Sequence, residues 1–224
     1  MNAALQLDSV EYSYRRNTAL RGVSLRLEPG EVVAVTGASG CGKSTLLHCA
    51  AGILTPGAGQ VRVAGQDLAE LPEDQRARLR RTQIGVVLQF GQLVPDLPLI
   101  DNVALPLLLD GHDRTDAHNS AMGWLEQVGI ADDAHTVPAE LSGGQTQRAA
   151  VARALVTDPA VVLADEPTGS LDSRSGQELL DVLLQAARYR GAALLLVTHD
   201  NLVAASADRE VRLRDGLVQH VVAF

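Results

Sequence analysis

Residues 37–44 read Gly-Ala-Ser-Gly-Cys-Gly-Lys-Ser and match the spacing G-x-x-x-x-G-K-[ST]. An apolar run of the buried-strand kind, Glu31–Thr36, precedes them, and a helical stretch, Lys43–Ala51, follows. No other feature constrains the chain as strongly. Glycines let the backbone bend until successive N–H groups point into one concavity, and at a helix N-terminus that concavity binds anions. The spacing therefore predicts a phosphate loop formed by Gly37, Ala38, Ser39, Gly40, Cys41, Gly42, Lys43, Ser44 and Thr45. Lys43 can reach β- and γ-phosphates, and the Ser44 hydroxyl can take one position on Mg²⁺. The loop alone implies nucleoside-triphosphate binding and is shared by GTPases, kinases and ATPases.

Composition sharpens this at one residue. Of 19 cationic side chains, 18 are Arg and one is Lys, Lys43. Biased coding explains the arginines, whereas a narrow phosphate loop suits a slim point charge better than a planar fork. A net charge of −8 and 3% aromatic residues argue against electrostatic or stacking recognition of nucleic acid. With 46% hydrophobic residues the chain can fill a core, which excludes disorder. Two cysteines, Cys41 and Cys49, exclude a disulfide scaffold and fit a reducing cytosol. Cys41 lies beside a helix N-terminus and Lys43, conditions that lower a thiol pKa and raise the question of redox sensitivity. Cys49 reads as a small buried residue. Residues 1–10 carry Asp8 and alternate polar with apolar, unlike a signal peptide. The longest apolar runs, Val103–Leu109 and Ala192–Val197, fall short of the ~20 residues a spanning helix needs.

Along the chain, strands are expected at Leu5–Tyr14, Val23–Leu27, Glu31–Thr36, Val61–Ala64 and Ile84–Leu88. Helices are expected at Glu73–Thr82, Leu99–Asp110, Thr115–Ile130 and Gly143–Thr157. The last has Ser142 as N-cap and Asp158-Pro159 as its stop. Strand Ala160–Ala164, helix Ser173–Arg190, strand Ala192–Thr198 and a tail of short strands complete the pattern. Alternating strands and helices indicate an α/β fold with a parallel sheet, and the mostly helical middle reads as an inserted subdomain. We expect one domain over 1–224, with core and β subdomain in 1–89 and 159–224 and the helical subdomain in 90–158.

Ligands in parallel sheets sit beyond the carboxyl ends of strands. Val161–Ala164 ends in Asp165 and Glu166, so both carboxylates can face the phosphate loop. Asp165 can hold Mg²⁺, and Glu166 can orient or deprotonate an attacking water. His199 follows Leu194–Thr198 and can contact a γ-phosphate. Gln89 follows Ile84–Leu88 and offers its amide to metal or water. Four strand ends should thus converge on one edge.

Leu141-Ser142-Gly143-Gly144-Gln145 opens another helix and leaves N–H groups exposed, a second anion site in a chain with one phosphate loop. A partner's nucleotide is the natural occupant. With this element the chain resembles the nucleotide-binding subunit of an ATP-binding cassette (ABC) transporter over Tyr14–His199. The resemblance implies a P-loop NTPase (ABC ATPase) fold: a parallel core sheet, an N-terminal antiparallel β subdomain and an inserted helical subdomain. It also implies that ATP and Mg²⁺ are bound, and that two cassettes, an identical pair by expectation, sandwich two ATP molecules. Ser142, Gly143, Gly144 and Gln145 would then contact ATP in trans. Gly169-Ser170-Leu171-Asp172 would link the two sites, with Asp172 near nucleotide. Tyr14 would stack on adenine, with Tyr12 as a substitute. Thr146 departs from the Gln or Glu common at that position.

Arg80–Gln89 and Asp101-Asn102-Val103-Ala104-Leu105-Pro106 resemble the macrolide-export and lipoprotein-release branch. That likeness implies a separate membrane permease docking near Gln89–Leu109 and a cassette peripheral on the cytoplasmic face of the cell membrane. Two uses of the ATP cycle stay open: export, or control of a cell-wall hydrolase through a permease. DNA-repair relatives carry long coiled-coil arms, and translation-factor relatives carry two cassettes; neither pattern is present in the 224 residues.

Overall fold

Short strands built almost wholly from Val, Leu and Ala set the architecture, because such strands must be covered on both faces. The computed structural model describes residues 3–15, 17–89, 92–169 and 171–223. The chain begins with β1 (Leu5–Tyr14), β2 (Asn17–Leu27), β3 (Val32–Thr36), α1 (Lys43–Ala50), β4 (Ala58–Val63), β5 (Gln66–Asp67), α2 (Glu73–Gln83) and β6 (Ile84–Val87). There follow α3 (Leu99–Leu109), α4 (Arg114–Gln127), α5 (Gly143–Leu155), β7 (Val161–Asp165), α6 (Ser173–Arg190), β8 (Ala193–Val197), α7 (Asn201–Ala204), β9 (Arg209–Arg214) and β10 (Leu217–Ala223).

Two sheets form. One is four-stranded and antiparallel, in the order β2-β1-β4-β5; the other is six-stranded, in the order β10-β9-β3-β8-β7-β6. In the second, β9, β3, β8, β7 and β6 run parallel, and β10 closes the edge as an antiparallel hairpin partner. The period-2 alternation of a strand divides the core. Val32, Ala34, Val162, Ala164, Leu194 and Leu196 face one way, into a cluster with α3, α4, α5 and α6. Val33, Val35, Val161, Leu163, Leu195 and Val197 face the other way, toward α1 and the antiparallel sheet. The parallel sheet is thus sandwiched, with every carboxyl end at one edge.

Two boundaries differ instructively from the sequence reading. The second strand of the first hairpin, β2, begins at Asn17 rather than Val23, because Asn17–Leu20 pairs back on β1 although its residues do not alternate cleanly. α4 stops at Gln127 rather than Ile130. Gly129 adopts φ 72°, its N–H donates to the Glu126 carbonyl at 3.0 Å, and the Ile130 N–H reaches the Leu125 carbonyl at 2.9 Å. This is a Schellman cap, and the buried Ile130 that extended the apolar period is its hydrophobic anchor outside the helix.

Candidate functional site

The phosphate loop is held open by close backbone approach. Gly42 has φ 111°, and a Cβ there would lie 2.5 Å from the Ala19 carbonyl oxygen; on Gly37 (φ 149°) it would lie 2.2 Å from that of Leu213. No side chain fits either place, so these glycines are demanded by both torsion and space. Beneath them the Cys41 carbonyl accepts from Gly216 N–H at 3.0 Å, tying the loop to the β9–β10 turn. Lys43 bends back over the loop, its Nζ donating to the Gly37 and Ala38 carbonyls at 2.8 and 3.1 Å.

Above the loop is a cleft of about 410 Å³. Ser39, Gly40, Gly42, Lys43, Ser44 and Thr45 form its floor, and Gln89, Asp165, Glu166 and His199 form the wall made by the ends of β6, β7 and β8. Tyr14, from the tip of the first hairpin, closes the far side and is 47% exposed. Its ring meets Tyr12 edge-on, with centroids 4.8 Å apart and planes at 71°, so Tyr12 buttresses Tyr14. The converging strand ends expected from sequence are brought together.

Glu166 is the most tightly held of the wall residues. One carboxylate oxygen, Oε1, accepts from the His199 backbone N–H at 2.9 Å and lies 2.6 Å from His199 Nδ1. The other accepts from Thr198 Oγ1 at 3.2 Å. Hydrogen bonding to Glu166 raises the His199 pKa above its ordinary 6.5; the charges of Glu166 and Asp200 act in the same direction, opposed by desolvation and Lys43. Glu166 itself has φ 47°, unusual for a residue with a side chain.

Hard oxygen donors from Ser44, Gln89 and Asp165 share the cleft, a donor chemistry that fits Mg²⁺. Among the described residues no group of three or more His, Cys, Asp or Glu forms a cage for a metal. An ion here would therefore complete its shell with phosphate oxygens and water, as Mg²⁺ characteristically does.

Asp172 and the Ser142–Gln145 helix start, also expected near nucleotide, stand elsewhere. Ser142, Gly143, Gly144 and Gln145 do not line the cleft. They form the start of α5 as a capping box: Ser142 Oγ accepts from Gln145 N–H at 3.2 Å, and Gln145 Oε1 accepts from Ser142 N–H at 2.9 Å. Gln145 Nε2 also donates to Asp133 at 2.7 Å. Asp172 is the N-cap of α6, accepting from the N–H groups of Arg174 and Ser175 at 3.1 and 3.0 Å. These bonds, that from Ser175 foremost, hold its carboxyl below the usual range. Gly144 approaches the loop before α6, where an added Cβ would stand 2.9 Å from Leu171 Cδ2. Ser170, and Phe90 and Gly91 in the expected docking span, lie outside the described residues.

The structure bears on the question of redox sensitivity raised by Cys41. That residue is 6% exposed, packs in the core beneath the loop, and is not among the cleft's lining residues. Burial removes the access that oxidation requires. Cys49 is fully buried, as expected, and burial pushes its thiol pKa up to about 11.

Three residues in or beside the site went unread in the sequence. Asn17 and Ala19 line the cleft from β2, brought there by the hairpin fold-back; only the pairing of Tyr14 with Asn17 could have signalled them. Gln147, one turn beyond Gly144, is 1% exposed with neither amide atom hydrogen-bonded.

The family model for ABC transporters matches residues 20–169. The chain belongs to the ABC transporter family. It is 41% identical over 225 residues to the lipoprotein-releasing system ATP-binding protein LolD of Shewanella frigidimarina (strain NCIMB 400), covering 99% of this chain and 94% of the relative. The LolD of Hydrogenovibrio crunogenus (strain DSM 25203 / XCL-2) is 44% identical over 216 residues, at 95% and 94% coverage. Among solved structures, the ATP-binding cassette MJ0796, in a dimeric post-hydrolysis state bound to ADP and Pi, superimposes with TM-score 0.92 at 33% identity over 98% of both chains. CbiO1 of Clostridium perfringens, part of the ABC transporter complex cbiONQ, gives 0.87 at 27% identity over 100% of this chain and 89% of its own. The cassette is thus an ATP-binding ABC ATPase. Among the described residues no helix is long and apolar enough to cross a membrane.

Proposed function

We propose that this cassette dimerises on ATP and, by hydrolysing it, drives a separate permease of the lipoprotein-release and macrolide-export type from the cytoplasmic face of the membrane. The observation that carries the reading is a division within one chain. Phosphate loop, acidic pair and His199 share one cleft, while the second anion-binding helix start, Ser142–Gln145, stands outside it. A second copy would bring its own Ser142–Gln145 against that cleft and close it. The LolD relatives serve lipoprotein-releasing systems, which makes lipoproteins the proposed cargo class.

In this reading Tyr14 stacks on adenine, and Lys43 with the loop N–H groups binds the β- and γ-phosphates. Ser44, Gln89 and Asp165 hold Mg²⁺, which supplies charge neutralisation at the phosphate oxygens when bound. Glu166 orients a water at the γ-phosphorus and accepts its proton as the new P–O bond forms. The bond to the β-γ bridging oxygen breaks, and ADP and phosphate result. His199 holds Glu166 in place and reports the γ-phosphate. Gly169–Asp172 connects one site to the other.

The permease would dock along Gln89–Leu109, on the helical portion proposed for 90–158. A groove of about 380 Å³ there supports that placement; it has Leu105, Pro106 and Leu109 along one side and Arg80, Arg81 and Arg153 around it. Leu109 is 63% exposed.

Glu166→Gln tests the reading. Turnover should fall by about 10²- to 10⁴-fold, while ATP binding persists and a dimer accumulates with ATP in size-exclusion light scattering. Undiminished hydrolysis by this variant would remove Glu166 from its role, and a monomer under saturating ATP would remove the sandwich.

A further inference from the structure

Between Gln89 and α3 the described chain, residues 92–98, has no regular structure, and it contains Pro95 and Pro98, which offer no N–H. Several of its backbone groups are satisfied instead by one side chain. Asn102, fully buried one turn into α3, accepts from the Val94 N–H through Oδ1 at 2.7 Å. Its Nδ2 donates to the carbonyls of Val94 and Leu97 at 3.0 and 2.8 Å, with that of Pro98 at 3.4 Å. A single amide thus pairs with both backbone groups of Val94, using its acceptor and both donor hydrogens. A second tie comes from α5, where Arg153 Nη1 donates to the Gln92 carbonyl at 3.1 Å. Gln92 is held at φ 44°, a torsion that persists in a non-glycine residue only where its surroundings impose it.

We propose that Asn102 is a positioning residue for ATP hydrolysis: it locks residues 92–98 onto α3 and thereby limits where the Gln89 amide can stand at the phosphate end of the cleft. Chain length limits the slack. Gln89 and Gln92 are three residues apart, so at most about 11 Å of chain separates an anchored backbone from the working amide. Energetics make it durable, because breaking the lock would leave the buried Asn102 amide and several half-buried backbone groups without partners. Geometry gives it a use. α3 also carries Leu105, Pro106 and Leu109 along the groove where the permease is placed, so that groove and the anchored residues 92–98 share one helix. The proposal rests on the reading of Gln89 as a ligand for metal or attacking water.

A double-mutant cycle in the full chain tests it, with turnover, KM for ATP and Mg²⁺ half-saturation measured for Gln89→Ala, Asn102→Ala and the pair. Each single variant should lose at least about tenfold in kcat and need more Mg²⁺. KM for ATP should change less than about twofold, because the loop and Tyr14 are untouched. The double variant should be no worse than Gln89→Ala alone, since Asn102 acts through Gln89. Rates are normalised to folded protein by circular dichroism. Where Asn102→Ala does not fold, Asn102→Ser, which keeps a small neutral polar side chain but cannot span all of these bonds, takes its place in the cycle. An unchanged kcat on substituting Asn102, or losses that simply multiply in the double variant, would overturn the lock while leaving the Gln89 reading intact. A Gln89→Ala variant with wild-type kcat and Mg²⁺ dependence would remove the reading and the lock together.

Discussion

Glu166 combines a left-handed backbone with a carboxylate bonded on both oxygens. The torsion alone costs a side-chain-bearing residue about 1–2 kcal/mol, and the bonds from Thr198 and His199 help hold it. The charged partner makes this arrangement pH-dependent. Because the folded pKa of His199 lies above 6.5, the stability gained by the pair is fully present below the unfolded value and is lost as pH rises through the folded one. Replacing Glu166 by Gln removes the main cause of the shift, so the His199 ring should titrate at lower pH in that variant, nearer 6.5, by NMR. An identical midpoint in both proteins would mean that the pair is not formed in solution. At this scale the sequence was legible wherever chemistry is local. Lys43, Ser44, Asp165 and Glu166 follow directly after strands or begin a helix, and strand ends share one edge. Asn17 and Ala19 were not legible, because a hairpin register, not their side-chain type, brings them to the cleft. The unpaired amide of Gln147 is likewise a fact of packing.

Among elements, the contact between α5 and β6 depends on one missing methyl. A Cβ on Gly85 would stand 2.3 Å from the Ala154 carbonyl oxygen, a backbone atom that cannot rotate away. Gly85→Ala must therefore push α5 off the sheet, at a cost of about 1–3 kcal/mol for overpacking. The urea midpoint should drop accordingly. Because Ser142–Gln145 begins the displaced helix, turnover should fall more than nucleotide affinity at the phosphate loop. A midpoint within error of wild type would show that the helix accommodates the methyl. Long elements with clear caps, such as α6 between Asp172 and Gly191, were legible to the residue. β5, two residues long, and α7, four residues long, were not, since neither is long enough to display a period.

For the whole molecule, the decisive question is whether a cleft is completed from the same chain or from another. The two alternatives separate when two differently damaged chains are mixed. Lys43→Ala removes the ammonium from the phosphate loop but leaves Ser142–Gln145 intact. Gly143→Asp does the reverse: an added Cβ there meets nothing within 4 Å, so the fold is spared, and an acidic residue suits the first helical turn. Its charge would nevertheless repel a γ-phosphate. Each variant alone should be inactive, since both sites of either homodimer are damaged. In a mixed dimer the intact loop of one chain faces the intact helix start of the other, so one of the two sites is whole. Equal mixing puts half of the dimers in this state, and ATP turnover should return to about a quarter of wild type if the two sites act independently. Completion within one chain predicts no recovery at any mixing ratio, since neither chain has both parts.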